Sequence, residues 1–221
     1  MTIFFAGCPL RCLYCHNPDT FFMAKGRLVG VDDMLARISR YRGVFGATGG
    51  GITLSGGEVL MQAPFAARLL HGAGAMGIHT CIDTSGFLGA ACTDEMLDDI
   101  DLVLLDVKSG DPDTYEKVTG RALAPTLAFG DRLAARGTPV WVRFVAVPGL
   151  TDDPGNVARV ADTVAAWPNV ARTEVLPFHQ MGRDKWHDLG LDYALESTPP
   201  PTAEQVEAVR DVFRGRGLTV R

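Results

Sequence analysis

Short apolar runs alternate with amphipathic patterns along most of the chain. The apolar runs fall at residues 2–6, 52–54, 78–84, 102–108, 140–147 and 173–178. A short, continuous apolar run is typical of a strand that is covered on both faces, as in a parallel sheet. We therefore predict six strands, each followed by a helical segment.

The segments between the strands carry apolar residues at helical spacing. Val31, Met34, Leu35 and Ile38 predict a first helix, which we expect to end at Gly43 and Gly46. Thr202 and Gln205 form a capping-box pattern for the last helix. Residues 181–196 indicate an irregular polar loop, and 218–220 an added edge strand. The remaining helices are predicted at 64–76, 93–100, 111–118, 125–136 and 157–164.

The order of these elements predicts the fold class. Strands that alternate with helices form a parallel sheet with right-handed crossovers. The pattern predicts an α/β fold and leaves open whether the sheet is doubly wound or a partial barrel. Because the first run begins at residue 2, we expect the first strand to be truncated at its N-terminus.

Polar residues cluster where the predicted strands end. Ligands of parallel α/β proteins bind at the carboxyl ends of the strands, so polar residues placed there predict a shared site. At this edge the sequence places Cys8, Glu58, Asp83, Asp106, Lys108 and His179.

Composition excludes several classes of function. The net charge is -5, and the sequence lacks the basic stripe interleaved with aromatic residues that is typical of nucleic-acid binding. The sequence contains no run of 18 apolar residues, so we predict no membrane span. Five cysteines, three of them clustered, favour metal binding in a reducing compartment over a disulfide framework. We expect a cytoplasmic protein.

Three cysteines concentrate the candidate chemistry in one stretch. Cys8, Cys12 and Cys15 have the spacing C-x3-C-x2-C. Three thiolates leave one position of a four-coordinate centre open, and an open position is where a substrate or cofactor binds. Three alternatives remain. Zinc could use the cysteines and His16, a c-type haem could use the C-x-x-C-H pattern, and the thiols could be structural. Haem attachment needs export, and the seven residues before Cys8 lack the charge of a signal peptide.

The other candidate positions each have a structural alternative. Gly56 and Gly57 allow close approach to the backbone, but Ser55 to Glu58 could be a plain strand-to-helix turn. Asp106 and Lys108 share a strand face and could form a structural ion pair. His179 could likewise be structural.

Arg143 lies in the middle of an apolar strand. Arginine is almost never buried without a partner, which favours a functional role for it.

The cysteine stretch resembles that of the radical S-adenosylmethionine (SAM) enzymes. The longer run from Gly7 to Thr20 is similar to the activating enzymes of glycyl-radical enzymes, nearest to the pyruvate formate-lyase type. Further similar stretches follow in collinear order over nearly the whole chain, at residues 55–58, 79–84, 101–108, 140–144 and 176–179.

This resemblance implies one radical SAM domain over residues 1–221, folded as a partial (β/α)6 barrel. It implies that Cys8, Cys12 and Cys15 ligate a 4Fe-4S cluster whose fourth iron is chelated by the methionine end of SAM. One-electron cleavage of SAM would give a 5'-deoxyadenosyl radical that takes a hydrogen atom from a glycine of the target enzyme.

The resemblance also assigns SAM contacts. It implies that Gly56, Gly57 and Glu58 hold the amino end of SAM. The methionine and ribose portions would be lined by Asp106, Val107 and Lys108. The adenine would be flanked by Tyr14 and His16, beside Cys15.

Three further residues receive roles from the same resemblance. His179 would contact the nucleoside of SAM. Asp83 and Asp106 would share a monovalent cation near the SAM carboxylate. Arg143 would stabilise the bound cofactor or its cleavage.

The partners follow from the same family. The resemblance implies a glycyl-radical enzyme as protein substrate, pyruvate formate-lyase (formate C-acetyltransferase) first, flavodoxin or ferredoxin as electron donor, and a monomeric state. No cysteine-rich insert follows the cluster stretch, since only Cys81 and Cys92 come after Cys15. Two alternatives remain: an activator of another glycyl-radical enzyme, such as anaerobic ribonucleotide reductase, and a non-catalytic zinc or iron–sulfur module.

Overall fold

One sheet of six parallel strands forms the framework of the molecule. The computed structural model describes residues 1–221. The strands lie in the order of the chain, each paired with the next, and the first and last do not pair with each other. The sheet is therefore an unclosed barrel, and the predicted α/β partial barrel is confirmed. The strands are β1 (Thr2–Phe5), β2 (Gly51–Gly56), β3 (His79–Thr84), β4 (Leu102–Asp106), β5 (Val140–Ala146) and β6 (Val170–Pro177).

Nine α-helices connect the strands and follow the last one. No helix has both the length and the apolar character needed to cross a bilayer. The helices are α1 (Val31–Ser39), α2 (Arg42–Thr48), α3 (Ala63–Ala75), α4 (Asp94–Asp98), α5 (Pro112–Thr119), α6 (Ala124–Arg136), α7 (Pro154–Ala165), α8 (Arg183–Asp188) and α9 (Ala203–Arg214).

Local sequence explains where several helices begin and end. Asp111 and Asp153 cap α5 and α7 by accepting hydrogen bonds from backbone amides three residues ahead, and a proline follows each. Such an acceptor satisfies one of the free amides of the first turn. Thr202 and Gln205 form the predicted capping box of α9. Gly137 ends α6 with φ +73°, a conformation that favours glycine.

The two faces of the strands have different roles. In β5, Val142 and Phe144 are fully buried, whereas Trp141, Arg143 and Val145 alternate with them on the other face. The first set belongs to the main core of 36 buried residues. Because side chains alternate along a strand, the opposite face is left for polar groups at the carboxyl end.

A second, smaller apolar cluster lies apart from the main core. Its eight buried residues come from the cysteine stretch, the ends of α5, β5 and β6, and the region of α8. Together they join the cysteine stretch to the C-terminal part of the chain. They are Tyr14, Phe21, Val118, Val147, Phe178, Trp186, Tyr193 and Leu195.

Three local predictions were wrong. The single helix expected from Val31 is two helices, and Gly43 and Gly46 lie inside α2, where both are exposed and nothing restricts them. Residues 181–196 contain α8, and Trp186 there is buried, since its partners are distant in sequence. Val220 makes one isolated bridge to Thr173 and forms no edge strand.

Candidate active site

A cavity of about 370 Å³ opens at the carboxyl edge of the sheet. Segments that end or follow all six strands line it, and its volume lies in the range of about 300–1,000 Å³ typical of ligand pockets. All the predicted site residues except Val107 line this cavity. The structure thus brings together residues from six strand ends, while their individual roles stay predictions.

The three cysteines of the C-x3-C-x2-C stretch face this cavity together. Burial raises the pKa of Cys8 to about 11, of Cys12 to about 12 and of Cys15 to about 11. The thiols also affect one another. Cys12 raises the pKa of Cys8, Cys15 raises the pKa of Cys12, and Cys8 raises the pKa of Cys15. All three side chains line one cavity, where burial favours the protonated thiols and a cationic centre would favour the thiolates.

The donor set differs from that of a structural zinc site. Such a site takes four protein ligands, and the stretch supplies three cysteines. Cysteine thiolates are the ligands of iron–sulfur clusters. The chemistry of the donor set therefore fits an iron–sulfur cluster.

The paired glycines at the end of β2 allow the backbone before Cys8 to pack closely against them. A Cβ on Gly57 would lie 2.2 Å from the carbonyl oxygen of Gly7, and one on Gly56 would lie 2.4 Å from the amide of Phe5. The amides of Gly57 and Glu58 donate to the carbonyls of Phe5 and Gly7. The close approach inferred from the sequence is therefore made by the backbone just before Cys8.

The Glu58 carboxylate is almost fully buried and accepts four hydrogen bonds. Oε1 accepts from the amide of Leu60 at 3.2 Å and from the hydroxyl of Thr84 at 2.6 Å. Oε2 accepts from the amide and the hydroxyl of Ser85, at 3.0 and 2.6 Å. Glu58 thus ties the end of β2 to the turn after β3. Sequence reasoning gave no role to Thr84 and Ser85, whose only signal was their position at the end of a strand.

A network of four charged side chains crosses the ends of β3, β4 and β5. Arg143 contacts Asp83 through Nη2 and Asp106 through Nε, the latter at 3.0 Å, and Lys108 Nζ lies 2.9 Å from Asp106. Ser55 donates to the other oxygen of Asp83 at 2.7 Å. The two carboxylates that were expected to share a monovalent cation share the guanidinium of Arg143. Their cation site stays a prediction.

The network shifts the pKa values of the two carboxylates in opposite directions. Burial raises the pKa of Asp83 to about 6, and the charge of Asp106 adds to this effect. Burial also acts to raise the pKa of Asp106, but Arg143 and Lys108 outweigh it and hold that pKa below its usual value. For Lys108, burial acts to lower the pKa, and Asp106 and Cys12 outweigh it, so the pKa is raised.

Tyr14 leaves a polar atom without a partner beside this network. Its side chain is 5% exposed and lines the cavity, and its buried hydroxyl has no hydrogen-bond partner. The ammonium of Lys108 lies 5.7 Å from the centre of its ring. A buried unpaired hydroxyl is costly, so it marks a point where a ligand could bind.

His16 and His179 form one structural unit. Their rings stack with centroids 4.0 Å apart and an interplanar angle of 23°. Burial lowers the pKa of His16, and the neighbouring His179 lowers it further. The two stacked rings therefore present an aromatic surface to the cavity.

One predicted site residue does not line the cavity. Val107 is fully buried and belongs to the main core. Only its backbone could meet a ligand, because the side chain points to the helical layer.

The chain matches a protein-family model. Residues 2–161 match the model described as "Radical SAM superfamily". The matched range covers β1 to most of α7 and includes the three cysteines.

Curated relatives match nearly the whole chain. A protein named "Pyruvate formate-lyase-activating enzyme" from Staphylococcus epidermidis is 43% identical over 227 residues, covering 97% of this chain and 89% of the relative. A "Pyruvate formate-lyase 1-activating enzyme" from Escherichia coli is 38% identical over 219 residues, covering 98% of this chain and 89% of the relative.

Solved structures share the fold. A domain of a pyruvate-formate lyase-activating enzyme from Bacteroides vulgatus superposes with TM-score 0.63 at 23% identity, covering 78% of this chain and 98% of that one. Streptococcus suis SuiB bound to S-adenosylmethionine superposes with TM-score 0.72 at 14% identity, covering 100% of this chain and 49% of that one. The family model and the curated relatives together establish that the chain belongs to the radical SAM superfamily and, within it, to the pyruvate formate-lyase activating enzymes.

Proposed function

We propose that the protein is a radical SAM activase that generates the glycyl radical of pyruvate formate-lyase. The family to which the chain belongs uses a 4Fe-4S cluster and SAM. The observation that carries the proposal is the group of three thiols, one buried and two half-buried, that line one polar cavity. When bound, the cluster and SAM supply a one-electron cleavage that yields a radical able to take hydrogen from a glycine α-carbon.

The residues present fit these two groups. Three thiols and no fourth cysteine line the cavity, so a four-iron cluster would keep one iron free for another ligand. The unpartnered hydroxyl of Tyr14, which lines the cavity, offers a hydrogen bond that the protein itself does not use.

The charged network suits the amino acid portion of SAM. That portion carries an ammonium and a carboxylate, and the network offers Asp83 and Asp106 beside Lys108 and Arg143. Oppositely charged groups in a partly buried site attract more strongly than in water. These four side chains would orient the ligand, and a monovalent cation at the two carboxylates is part of this proposal.

Other residues would position the ligand or exclude water. Gly56, Gly57 and Glu58 would receive the amino end of SAM through the backbone, since the side-chain oxygens of Glu58 already accept four hydrogen bonds. The stacked rings of His16 and His179 would meet the adenosine portion. Burial of Cys12 and Tyr14 would keep water from the reacting groups.

The rest of the proposal concerns setting and partners. It includes one domain over residues 1–221, a monomer, a cytoplasmic location, and flavodoxin or ferredoxin as electron donor. The odd number of cysteines and the absence of a disulfide support a reducing compartment.

The test is anaerobic reconstitution with iron and sulfide, followed by dithionite, SAM and a purified partner. We expect 5'-deoxyadenosine and, with pyruvate formate-lyase, a glycyl doublet by electron paramagnetic resonance. Cys12→Ala is the control that should give neither. Absence of 5'-deoxyadenosine contradicts the SAM chemistry, and a doublet only with anaerobic ribonucleotide reductase contradicts the choice of partner.

A further inference from the structure

The outer side of the cysteine stretch is held by two arginines. Nη1 of Arg11 donates to the carbonyls of Cys8 and Leu10, both at 2.7 Å, and Nε of Arg121 donates to the carbonyl of Pro9 at 2.9 Å. Three consecutive peptide groups, one of them belonging to a proposed iron ligand, thus contact guanidinium groups.

Both guanidinium groups are exposed and have no carboxylate partner. Neither Arg11 nor Arg121 forms an ion pair, whereas nine of the other fifteen arginines do. Their remaining N–H groups face solvent, since their hydrogen bonds to the protein are those to the loop carbonyls. The protein carries a net charge of -5, whereas no carboxylate neutralises these two guanidinium groups by direct contact.

Aromatic rings lie beside both arginines. The guanidinium of Arg11 is 4.8 Å from the ring centre of Phe21 and 5.4 Å from that of Phe22, which is 44% exposed. Arg121 lies 5.9 Å from the ring centre of Phe87. Arginine and aromatic residues are the types enriched at protein interfaces. We call Arg11, Phe22, Phe87 and Arg121 the basic face.

The basic face is separate from the cavity lining. None of its four residues lines the cavity, whereas Cys8 on the inner side of the same stretch does. A macromolecule on the basic face would be one peptide layer from the proposed cluster and would leave the cavity lining uncovered.

We propose that the basic face docks an acidic one-electron carrier protein that reduces the cluster. This inference rests on the proposed function, which needs an electron as well as a glycine segment. The glycine segment must reach the cavity, so a donor that binds elsewhere near the cysteines avoids competition with it. One electron passes from the reduced carrier to the oxidised cluster, and no bond forms or breaks. Complementary charge steers such an encounter, most strongly at low salt.

The test measures binding of a purified flavodoxin, and separately of a ferredoxin, to the cluster-loaded protein by calorimetry. For at least one carrier we expect Arg11→Gln with Arg121→Gln to weaken binding about tenfold at about 50 mM salt. Arg11→Lys with Arg121→Lys keeps the charge and should bind as the wild type does. Raising salt to about 300 mM should weaken wild-type binding by a similar factor.

The matched control removes two other exposed, unpaired arginines. Arg37→Gln with Arg40→Gln lowers the charge equally on the outer side of α1 and should bind the carrier as the wild type does. Equal losses in both double variants, or failure of both carriers to bind the wild type, would overturn the proposal.

Two further measurements keep the result decisive. If the glutamine pair fails to retain iron, wild-type binding that does not depend on salt overturns the proposal. Formation of 5'-deoxyadenosine with dithionite needs no carrier and should be unchanged in the control pair Arg37→Gln with Arg40→Gln. Failure of that reaction in the wild type would contradict the proposed function and not the docking surface.

Discussion

Single side chains at this site depend on burial for their chemistry. Cys12 is 8% exposed, and burial raises the pKa of its thiol to about 12, so the free thiol is protonated near neutral pH. Metal binding must displace that proton, because the thiolate is the ligand form.

Cys12→Ala should cause about a tenfold or greater loss of bound iron after reconstitution, since a lost ligand costs at least as much as a lost supporting contact. Unfolding of the metal-free protein should change by only about 1 kcal/mol, because one small buried side chain is shortened. Iron analysis and urea denaturation measure the two effects.

Cys81→Ala is the matched control. Cys81 is also buried, at 4% exposed, but it lies in β3 away from the cysteine stretch and does not line the cavity. Its substitution should leave iron content unchanged. Equal loss of iron in both variants would contradict the assignment of Cys12.

Gly57→Ala should destabilise the protein by about 2–3 kcal/mol. The new Cβ would lie 2.2 Å from the carbonyl oxygen of Gly7, and backbone there cannot move without displacing Cys8. Urea denaturation measures the stability, and iron retention should fall as well. Gly46→Ala, inside α2 with nothing within 4 Å, should instead stabilise by up to about 1 kcal/mol.

At the scale of elements, α8 secures the cysteine stretch from the C-terminal part of the chain. Nε1 of Trp186 donates to the carbonyl of Cys15 at 2.9 Å. Lys185 donates to Asn17 and Asp19 at 3.0 and 3.1 Å. The second apolar cluster packs beneath these contacts, so α8 fixes the last cysteine of the stretch.

Trp186→Phe keeps an aromatic ring and removes the donor. Because a partly buried carbonyl loses its partner, we expect a loss of about 1 kcal/mol in the free energy of unfolding. Iron should also leave faster when the loaded protein meets a chelator, which absorbance follows.

The comparison for this variant is Trp167→Phe. Nε1 of Trp167 donates to Asp131 at 2.8 Å, and the ring is equally buried in the main core. The stability loss should be similar, with iron release unchanged. Equal acceleration of iron release would show that α8 has no special role.

At the scale of the whole molecule, the unclosed sheet gathers its charges at one edge. Arg143 joins Asp83 of β3 to Asp106 of β4, and Lys108 follows β4. Asp106 and Arg143 are register partners in neighbouring strands. The network therefore couples three strand ends, and its protonation affects the stability of the whole domain.

The pH dependence follows from the raised pKa of Asp83. A carboxyl whose pKa is raised on folding from 3.8 to about 6 binds its proton more tightly in the folded state, so its contribution to stability falls as pH rises through this window. The difference corresponds to about 3 kcal/mol. Asp106, with its lowered pKa, acts in the opposite sense and only as pH falls below about 4.

Asp83→Asn removes this titration. Relative to the wild type, the metal-free variant should gain up to about 3 kcal/mol of stability between about pH 4 and pH 7, whatever fixed cost the lost contact to Arg143 adds. Urea denaturation at several pH values gives the difference. Parallel stability curves for the two proteins would refute the prediction.

The chain order alone determined the fold class, because the apolar period of each segment is a local property. It also determined the cavity edge, since parallel strands place their carboxyl ends together. Asp83 lies near the end of its strand, and Cys8, Glu58 and His179 follow the ends of theirs. The spacing of the three cysteines is covalent and needed no structure.

Tertiary packing decided the contacts between residues far apart in sequence. Arg143 meets Asp83 across 60 positions, Glu58 meets Ser85 across 27, and Trp186 meets Cys15 across 171. The burial of Trp186 in a segment with no periodicity, and the choice of Arg143 as partner for both carboxylates, depend on which elements pack together. No local pattern encodes that choice, because it is set by the free energy of the whole assembled core.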